Sequence, residues 1–211
     1  TNGVAAVIGT NVTLTPGAAP TPAAGSITMN ADGTITVAAG TTAGTYTYPY
    51  TICTIPATTP TTCDTATATI VVTAPTITAN NDTANTPANT PVTTLVTTND
   101  TNVGGTIDPN SVTVTVLPAT GSVVCTGASC EYTPPAGFVG TVTYTYEVCL
   151  AVPNGSVCDT AVVTVNVTPT IDAINDDFNA TPVNGGSGGT TASVITNDTT
   201  NCVAAVIGTN V

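Results

Sequence analysis

The chain has 211 residues, with 12 carboxylates, no Lys, Arg or His, and a formal net charge of −12. Because phosphate groups are neutralised by Lys or Arg, this composition argues against a nucleic-acid partner. Without His or Lys, the Ser-His-Asp and Ser-Lys arrangements of hydrolases cannot be built, so we expect no enzyme. No unbroken apolar run reaches about 18 residues, and we expect no membrane insertion.

The two ends of the chain carry nearly the same dodecapeptide. Residues 1–12 read TNGVAAVIGTNV and residues 200–211 read TNCVAAVIGTNV, so that only Gly3 and Cys202 differ. A long fixed period is typical of repeat arrays, and we interpret the chain as one period of a longer polymer. A recent terminal duplication without structural meaning is the alternative.

Residues 1–75, here the N-terminal segment, are rich in Thr, Val and Ile, which favour strands. The apolar run at 4–8 predicts a strand, and the Pro- and Gly-rich stretch 14–25 predicts a loop. Asp32-Gly33 lies between two alternating runs and predicts a tight hairpin. Two longer alternating strands are predicted at 44–54 and 63–73.

Residues 76–169, the central segment, contain a full set of strand patterns. Val and Thr alternate around turn signals, and the aromatic residues fall within the alternating runs. The predicted strands lie at 92–96, 112–116, 123–125, 130–132, 140–149 and 158–168.

Residues 171–211, the C-terminal segment, restart the pattern of the central segment. The sequence IDAIND at 171–176 corresponds to ITANND at 77–82. The N-terminal segment has no such beginning, but it contains the later strands. Its GTYTYPYTIC matches GTVTYTYEVC of the central segment, and its CDTATATIVV matches CDTAVVTVNV. The C-terminal segment therefore holds the opening strands, and the N-terminal segment the later strands, of one further domain.

Several short motifs stand out in the chain, and two of them, the Asn-Asp and Asn-Asp-Thr motifs, recur in the central and C-terminal segments. The motifs are Asn81-Asp82 and Asn175-Asp176, Asn99-Asp100-Thr101 and Asn197-Asp198-Thr199, Tyr132-Thr133-Pro134 with Gly137-Phe138-Val139-Gly140, and the Tyr-x-Tyr strands. In these motifs the chain resembles the bacterial Ig-like tandem-repeat domains of secreted and cell-surface proteins, including those of gliding bacteria. The resemblance implies an all-β fold of tandem Ig-like antiparallel β-sandwiches and an extracellular or cell-surface location.

Six of the seven cysteines flank hairpin loops at matching positions, which predicts disulfides in an oxidising compartment. The predicted pairs are Cys53–Cys63, Cys125–Cys130 and Cys149–Cys158. A metal site is the alternative, although zinc sites usually contain close CxxC pairs, often with His. Cys202 is left over, either free or available to join neighbouring chains.

Asp and Asn cluster in the early loops of both opening segments, and their oxygen atoms suit calcium. The candidate calcium ligands are Asp82, Asn99, Asp100, Asp176, Asp177 and Asp198. The alternative is that these side chains form Asx turns with nearby backbone N–H groups. Glu131, Glu147 and Asp159 are candidates for a catalytic carboxylate set, but structural placement of these residues is favoured.

N-x-S/T sequons are frequent, as chance allows in a Thr-rich chain, and they mark candidate glycosylation sites. The candidates are Asn11, Asn81, Asn99, Asn154, Asn166, Asn179 and Asn197.

These patterns predict a structural repeat unit of an extracellular bacterial fibre or stalk. Neighbouring copies would join head to tail, because the C-terminal segment of one copy completes the N-terminal segment of the next. The join is either a peptide bond or strand exchange between subunits. The alternative function is a calcium-stabilised adhesin repeat that binds surface glycans.

Overall fold

The computed structural model of the chain describes residues 3–55, 62–207 and 209. It divides into two compact units, Thr1–Pro75 with Val152–Asn154 and Thr76–Ala151 with Gly155–Val211. The described residues form β-strands and no helix, which confirms the predicted all-β fold. Within these residues there is accordingly no helix long and apolar enough to cross a membrane. Five residues of the repeated dodecapeptide lie outside the described residues: Thr1, Asn2, Gly208, Asn210 and Val211.

The first unit consists of one antiparallel sheet and one separate hairpin. Its strands are β1 (Val12–Pro16), β2 (Ile27–Met29), β3 (Ile35–Val37), β4 (Gly44–Thr54) and β5 (Cys63–Val72). The sheet has the order β1-β4-β5, and β2 pairs with β3. The turn between β2 and β3 is the predicted one, since Oδ1 of Asp32 accepts hydrogen bonds from the N–H and hydroxyl of Thr34 at 2.9 and 2.6 Å.

Two predictions at the beginning of the first unit are wrong. Residues 4–8 do not form a strand, and β1 extends into the stretch that was predicted as a loop. The side chain of Asn11 explains the first difference. Its Oδ1 accepts a hydrogen bond from the N–H of Val7 at 2.7 Å, and its Nδ2 donates to the carbonyl of Ala5 at 2.9 Å. These local bonds compete with strand pairing, so the apolar run is held as a loop.

The central segment forms a complete sandwich within the second unit. One sheet has four strands in the order β10-β13-β14-β7, a second has three in the order β11-β12-β8, and β6 pairs with β9. The strands are β6 (Thr76–Thr78), β7 (Asp82–Pro87), β8 (Val92–Leu95), β9 (Thr101–Val103), β10 (Ile107–Val116), β11 (Ser122–Thr126), β12 (Ser129–Thr133), β13 (Gly140–Leu150) and β14 (Cys158–Thr168).

The core of this sandwich follows from the alternation of β13 and β14. Alternate side chains of a strand face opposite sides of the sheet, so Val and Tyr point inward and Thr points outward. Tyr144, Tyr146 and Val148 on β13 pack with Val163 and Val165 on β14, all at most 1% exposed. The second sheet covers them with its own inward residues, Cys130 and Tyr132, both 0% exposed.

The first long strand of the sandwich pairs with its last strand. β7 lies parallel to β14, with Asp82 opposite Val163 and Thr86 opposite Val167. The ladder continues past the strand end, where the N–H of Ala88 donates to the carbonyl of Thr168 at 2.9 Å. The edge of β14 is therefore covered only by residues from the opening of the domain.

The C-terminal segment forms three short strands, β15 (Ile171–Asp172), β16 (Thr199–Thr200) and β17 (Val203–Ala204). Ile171 lies opposite Thr200 in the antiparallel pair of β15 with β16. By the repeated motifs these positions correspond to Ile77 and Asn102, which lie opposite each other in the pair of β6 with β9. The C-terminal segment thus reproduces the first pairing of the complete sandwich in the same register.

Comparison of the segments shows which strands the first unit lacks. Its β1, β4 and β5 repeat the order β10-β13-β14, and its hairpin β2–β3 repeats β11–β12. Among its described residues, no strand corresponds to β7, which covers β14, or to β8, which pairs with β12. The two edges that β7 and β8 cover in the complete sandwich therefore carry no further strand among the described residues of the first unit.

Val165→Ala is expected to destabilise the complete sandwich, because this side chain is 0% exposed and lies in the centre of the core. Removing two buried methyl groups and leaving a cavity costs about 2 kcal/mol of unfolding free energy. NMR signals of the Val163 methyl groups during urea unfolding of the full chain measure this loss for this sandwich alone. Val124→Ala, at a position 67% exposed, should change the free energy by less than about 0.5 kcal/mol. Equal losses for both variants would contradict the assignment of the core.

Candidate functional site

The opening loops of the central segment bring two carboxylates to a buried tyrosine hydroxyl. Asp82 is the first residue of β7, Asp100 directly precedes β9, and Tyr146 faces inward from β13. Asp82 is 9% exposed and Tyr146 is 0% exposed. We refer to the side chains of Asp82, Asp100 and Tyr146 and the carbonyl groups of Asn80 and Val96 as the oxygen cluster.

The oxygen cluster contains more hydrogen-bond acceptors than hydrogen-bond donors. The Tyr146 hydroxyl, which has one proton, lies 2.6 Å from the carbonyl of Val96, 3.3 Å from that of Asn80 and 3.4 Å from Oδ1 of Asp100. This Oδ1 also accepts the N–H of Asn80 at 2.8 Å. Oδ2 of Asp82 and Oδ2 of Asp100 are buried without a hydrogen-bond partner. Since the chain has no Lys, Arg or His, no cationic side chain of its own can neutralise them.

The surroundings of the oxygen cluster disfavour the ionised forms of its carboxyl and hydroxyl groups. Burial raises the pKa of Asp82 to about 6; the charge of Asp100 adds to this, while hydrogen bonds with Tyr146 and Asn99 oppose it. Burial also raises the pKa of Asp100 and that of Tyr146, the latter further increased by the two carboxylates. Carboxylates in such surroundings are stabilised by a proton or by a bound cation.

The loops around the cluster are held by further Asn and Asp contacts. Nδ2 of Asn99 donates to the carbonyl of Asn81 at 3.0 Å, and Nδ2 of Asn80 donates to the carbonyl of Asn99 at 2.8 Å. Asp159, at the start of β14, accepts the N–H of Ala79 at 2.9 Å through Oδ2. Asn99 therefore lies at the exposed rim of the cluster, and Asp159 serves the backbone of the same loop.

The C-terminal segment repeats this arrangement only in part. Oδ1 of Asp198 accepts the N–H of Ile174 at 2.8 Å, as Asp100 accepts the corresponding N–H in the central segment. Asp176, the counterpart of Asp82, is nevertheless exposed. Asp177 is also exposed, and its Oδ1 accepts the N–H of Asn179 at 2.8 Å in an Asx turn. Of the six candidate calcium ligands, the structure brings together Asp82, Asn99 and Asp100.

Three disulfides close the hairpins at the predicted positions. Each joins residues directly opposite each other on paired strands: Cys53–Cys63 on β4 and β5, Cys125–Cys130 on β11 and β12, and Cys149–Cys158 on β13 and β14. Cys202 is free and exposed. Glu147 lies beside the sulfur atoms of Cys149 and Cys158, but these atoms are joined to each other and are not thiolate ligands.

The candidate glycosylation residues differ in their surroundings. Exposed positions are Asn81, Asn99, Asn166, Asn179 and Asn197, and half-buried positions are Asn11 and Asn154. The amide Nδ2 that would carry a sugar already donates a hydrogen bond at Asn11, Asn99, Asn166 and Asn197. Glycosylation at these sequons remains a prediction.

The three carboxylates considered as a catalytic set do not lie on one surface. Glu131 is on β12 of the three-stranded sheet, whereas Glu147 and Asp159 are on β13 and β14 of the other sheet. Asp159 uses both carboxylate oxygens to accept backbone N–H groups, those of Ala79 and Thr160, each at 2.9 Å. These contacts agree with structural placement of Asp159.

Residues 72–168 match the family model described as Bacterial Ig domain. This part of the chain is therefore a bacterial Ig domain, a non-catalytic domain type, and the resemblance inferred from the motifs is confirmed for residues 72–168. The match covers the complete sandwich, including the oxygen cluster and two of the three disulfides.

The chain is also similar to parts of longer proteins of known structure, spanning less than half of each. Endo-fucoidan hydrolase MfFcnA4 from glycoside hydrolase family 107 is 17% identical with a TM-score of 0.33, over 76% of this chain and 24% of that one. The protocadherin gammaB7 EC3-6 cis-dimer structure is 14% identical with a TM-score of 0.34, over 79% of this chain and 44% of that one. At these TM-scores no inference is drawn from either protein. No curated protein sequence matches the chain.

Sequence reasoning missed Tyr146 and the Asn80 carbonyl as parts of the oxygen cluster. The Tyr-x-Tyr pattern placed Tyr146 on an alternating strand, and its counterpart Tyr50 recurs at the same place in the first unit. No spacing rule, however, connects a strand residue to an Asp in a loop more than 40 positions away.

Cys202 is expected to be the only cysteine that reacts with iodoacetamide before reduction, because it is free and exposed while the other six form disulfides. Peptide mapping by mass spectrometry without reductant checks this result. Trypsin cannot be used on a chain without Lys or Arg, so a protease of other specificity is required. Alkylation at any of the six paired cysteines would contradict the disulfides.

In metal-free buffer, the complete sandwich is expected to lose stability as the pH rises from about 4 to about 7. The pKa of Asp82 is about 6 in the folded state against an ordinary value of 3.8, so the folded state binds this proton more tightly. The stabilisation from this bound proton is fully present below pH 4 and is lost as the pH rises through 6. It contributes about 2–3 kcal/mol to the free energy of unfolding.

Urea unfolding followed through the methyl signals of Val163 and Val165 at several pH values measures this effect in the complete sandwich. Asp82→Asn should flatten the pH dependence and raise the stability at pH 7, because the buried charge is removed. Asp177→Asn, which removes an exposed charge, is the matched control and should keep the dependence of the unaltered chain. A steep pH dependence retained by Asp82→Asn would argue against this origin.

Proposed function

We propose that the chain is the structural repeat unit of an extracellular bacterial fibre or stalk. In this assembly the opening strands in the C-terminal segment of one copy complete the sandwich whose later strands lie in the N-terminal segment of a neighbouring copy. The observation that supports the proposal is complementarity. No strand in the described part of the first unit corresponds to β7 or β8, and the C-terminal segment contains their sequence equivalents.

The exposed apolar residues of the C-terminal segment support this complementarity. By the repeated motifs, Val194 corresponds to Val96 and Val183 to Ala88. In the complete sandwich Val96 is 0% and Ala88 is 3% exposed, whereas Val194 and Val183 are 57% and 43% exposed. Exposed apolar residues at positions that form a core elsewhere in the same chain are expected to be covered by a partner.

The first unit has a matching apolar groove of about 320 Å³, lined by residues that include Leu14, Tyr50, Ile52 and Ala68. Their counterparts in the complete sandwich are Val112, Tyr146, Val148 and Val163, which are between 0% and 7% exposed. The groove therefore corresponds to half of a sandwich core. Its natural occupant is the missing half, which the C-terminal segment of another copy carries.

The register of the complete sandwich predicts how the two segments pair. Asp82 lies opposite Val163 in the parallel pair of β7 with β14. The corresponding pair is Asp176 opposite Ala68, which places Phe178 opposite Ile70 on the edge of β5. Residues 176–179 would thus add a parallel strand to β5, a common mode of recognition between a sheet edge and a peptide segment.

Copies joined in this way form an open chain, because the contact is heterologous and does not close on itself. Covalent continuity between copies is favoured over strand exchange, since the repeated dodecapeptide keeps the array in register across the join. The two routes differ in a simple measurement. Denatured and reduced fibres release chains with a single copy of the repeat after strand exchange, whereas a covalent array yields chains that contain many copies.

An extracellular location is supported by the bacterial Ig domain and by the three hairpin disulfides. Disulfides persist in oxidising compartments and are rare where thiols are kept reduced.

Val194→Asp is expected to abolish assembly of separate chains without unfolding them, because Val194 is exposed in the single chain and becomes buried only in the completed sandwich. Val124→Asp is the matched control, since this position is also exposed, at 67%, but lies on the surface of the complete sandwich. Sedimentation and electron microscopy measure assembly, and hydrogen exchange of the β5 amides reports whether this edge becomes paired.

Fibres formed equally well by both variants, or unprotected β5 amides within assembled material, would contradict the proposal. Wild-type chains that bind surface glycans but do not associate with one another would instead favour the adhesin function.

A further inference from the structure

We propose that the oxygen cluster of the bacterial Ig domain is a calcium site, in which the carboxylates of Asp82 and Asp100 bind Ca²⁺ together with neutral oxygens of the same loops. The cluster lies within one complete sandwich, so the inference stands or fails separately from the proposed fibre.

The uncompensated charge of the cluster favours a bound cation. Asp82 is more than nine-tenths buried, and its Oδ2 has no hydrogen-bond partner. Oδ2 of Asp100 is buried and unpartnered as well. Each carboxylate has hydrogen bonds, but they leave one buried oxygen unsatisfied. Burying such an oxygen is costly, and proteins resolve this with a cation, further hydrogen bonds or protonation. No cationic side chain exists in this chain, so a cation at this place must come from solution.

The chemical identity of the ligand atoms favours calcium over other metals. All groups that converge on the Tyr146 hydroxyl are oxygens, namely one carboxylate oxygen and two backbone carbonyls within 3.4 Å. Ca²⁺ prefers about six to eight oxygen ligands of mixed carboxylate and carbonyl type and tolerates irregular geometry. Zinc prefers sulfur and nitrogen ligands, and magnesium demands near-octahedral geometry and keeps several waters. Calcium therefore fits this chemistry better than either metal.

The C-terminal segment provides an internal comparison for the site. The C-terminal segment contains the same Asn-Asp pairs and repeats the hydrogen bond from the N–H of Ile174 to Asp198. Asp176 is nevertheless exposed, whereas Asp82 is buried against Tyr146. The acidic pairs alone therefore do not create the buried site. The single chain is expected to bind one ion with high affinity, in the central segment.

The test is a calcium titration of the full chain by isothermal calorimetry after treatment with chelator, repeated with terbium. Tyrosine excitation sensitises terbium emission when the ion lies next to the ring, so Tyr146 provides a local signal. We expect one high-affinity ion per chain and a melting temperature of the complete sandwich that is higher by about 10 °C at a hundredfold excess over Kd.

Asp82→Asn and Asp100→Asn should each weaken calcium binding by about 100-fold and remove most of the terbium signal, since each loses a charged ligand. Asp176→Asn and Asp177→Asn are matched controls and should bind as the unaltered chain does. Protection of the β13 amides in hydrogen exchange establishes that each variant is folded.

Two results would overturn the proposal. One is the absence of calcium binding by a folded chain at millimolar metal, which would mean that a proton alone neutralises the two carboxylates. The other is binding that survives both Asp82→Asn and Asp100→Asn in folded protein, which would place the ion elsewhere.

Discussion

The parallel pairing of β7 with β14 joins the opening of the Ig domain to its end. Because β14 is the last strand, its outer edge is covered only by a strand that the chain has already made at the start of the same domain. A sandwich built in this way is incomplete until both ends of its sequence are present. If the sequence of such a domain is cut between β7 and β14, each of the two pieces has an unpaired strand edge and half of the hydrophobic core. The edge and half-core of one piece are complementary to those of the other.

The absence of Lys, Arg and His imposes a second constraint on the structure. Because no cationic side chain is available, most carboxylates accept hydrogen bonds from nearby backbone N–H groups, as Asp32, Asp159 and Asp177 do. Asp82 and Asp100 are different, because each buries an oxygen atom without such a donor. The same composition thus produces ordinary turn chemistry at the surface and a concentration of unneutralised oxygen atoms at one place in the interior.

Much of the fold could be predicted from alternation and turn residues. The inward positions of Tyr144, Tyr146 and Val148, the hairpin at Asp32-Gly33 and the three cysteine pairs follow from local patterns of two to ten residues. The run at 4–8 could not be predicted, because its conformation depends on the side chain of Asn11 and not on its own apolar residues.

The candidate site was predictable only in part, and for a related reason. Asp82, Asn99 and Asp100 were visible because Asn-Asp pairs recur in the sequence. Their difference from Asp176 and Asp198 depends on burial against β13, which has no sequence signature in the loops themselves. The repeated Asn-Asp motif was enough to identify the candidate residues. Which copy of the motif is buried depends on the strands that surround it.

The arrangement of β7 and β14 also determines how the domain would respond to mechanical load. β7 is near the beginning of the domain and β14 at its end, so tension along the chain pulls these two parallel neighbours in opposite directions. Their ladder, which pairs six residues from Asp82 to Pro87 with Val163 to Thr168, is loaded in shear, and its hydrogen bonds resist together and not one after another. The disulfide between β13 and β14 then limits how far the chain can extend once that ladder yields.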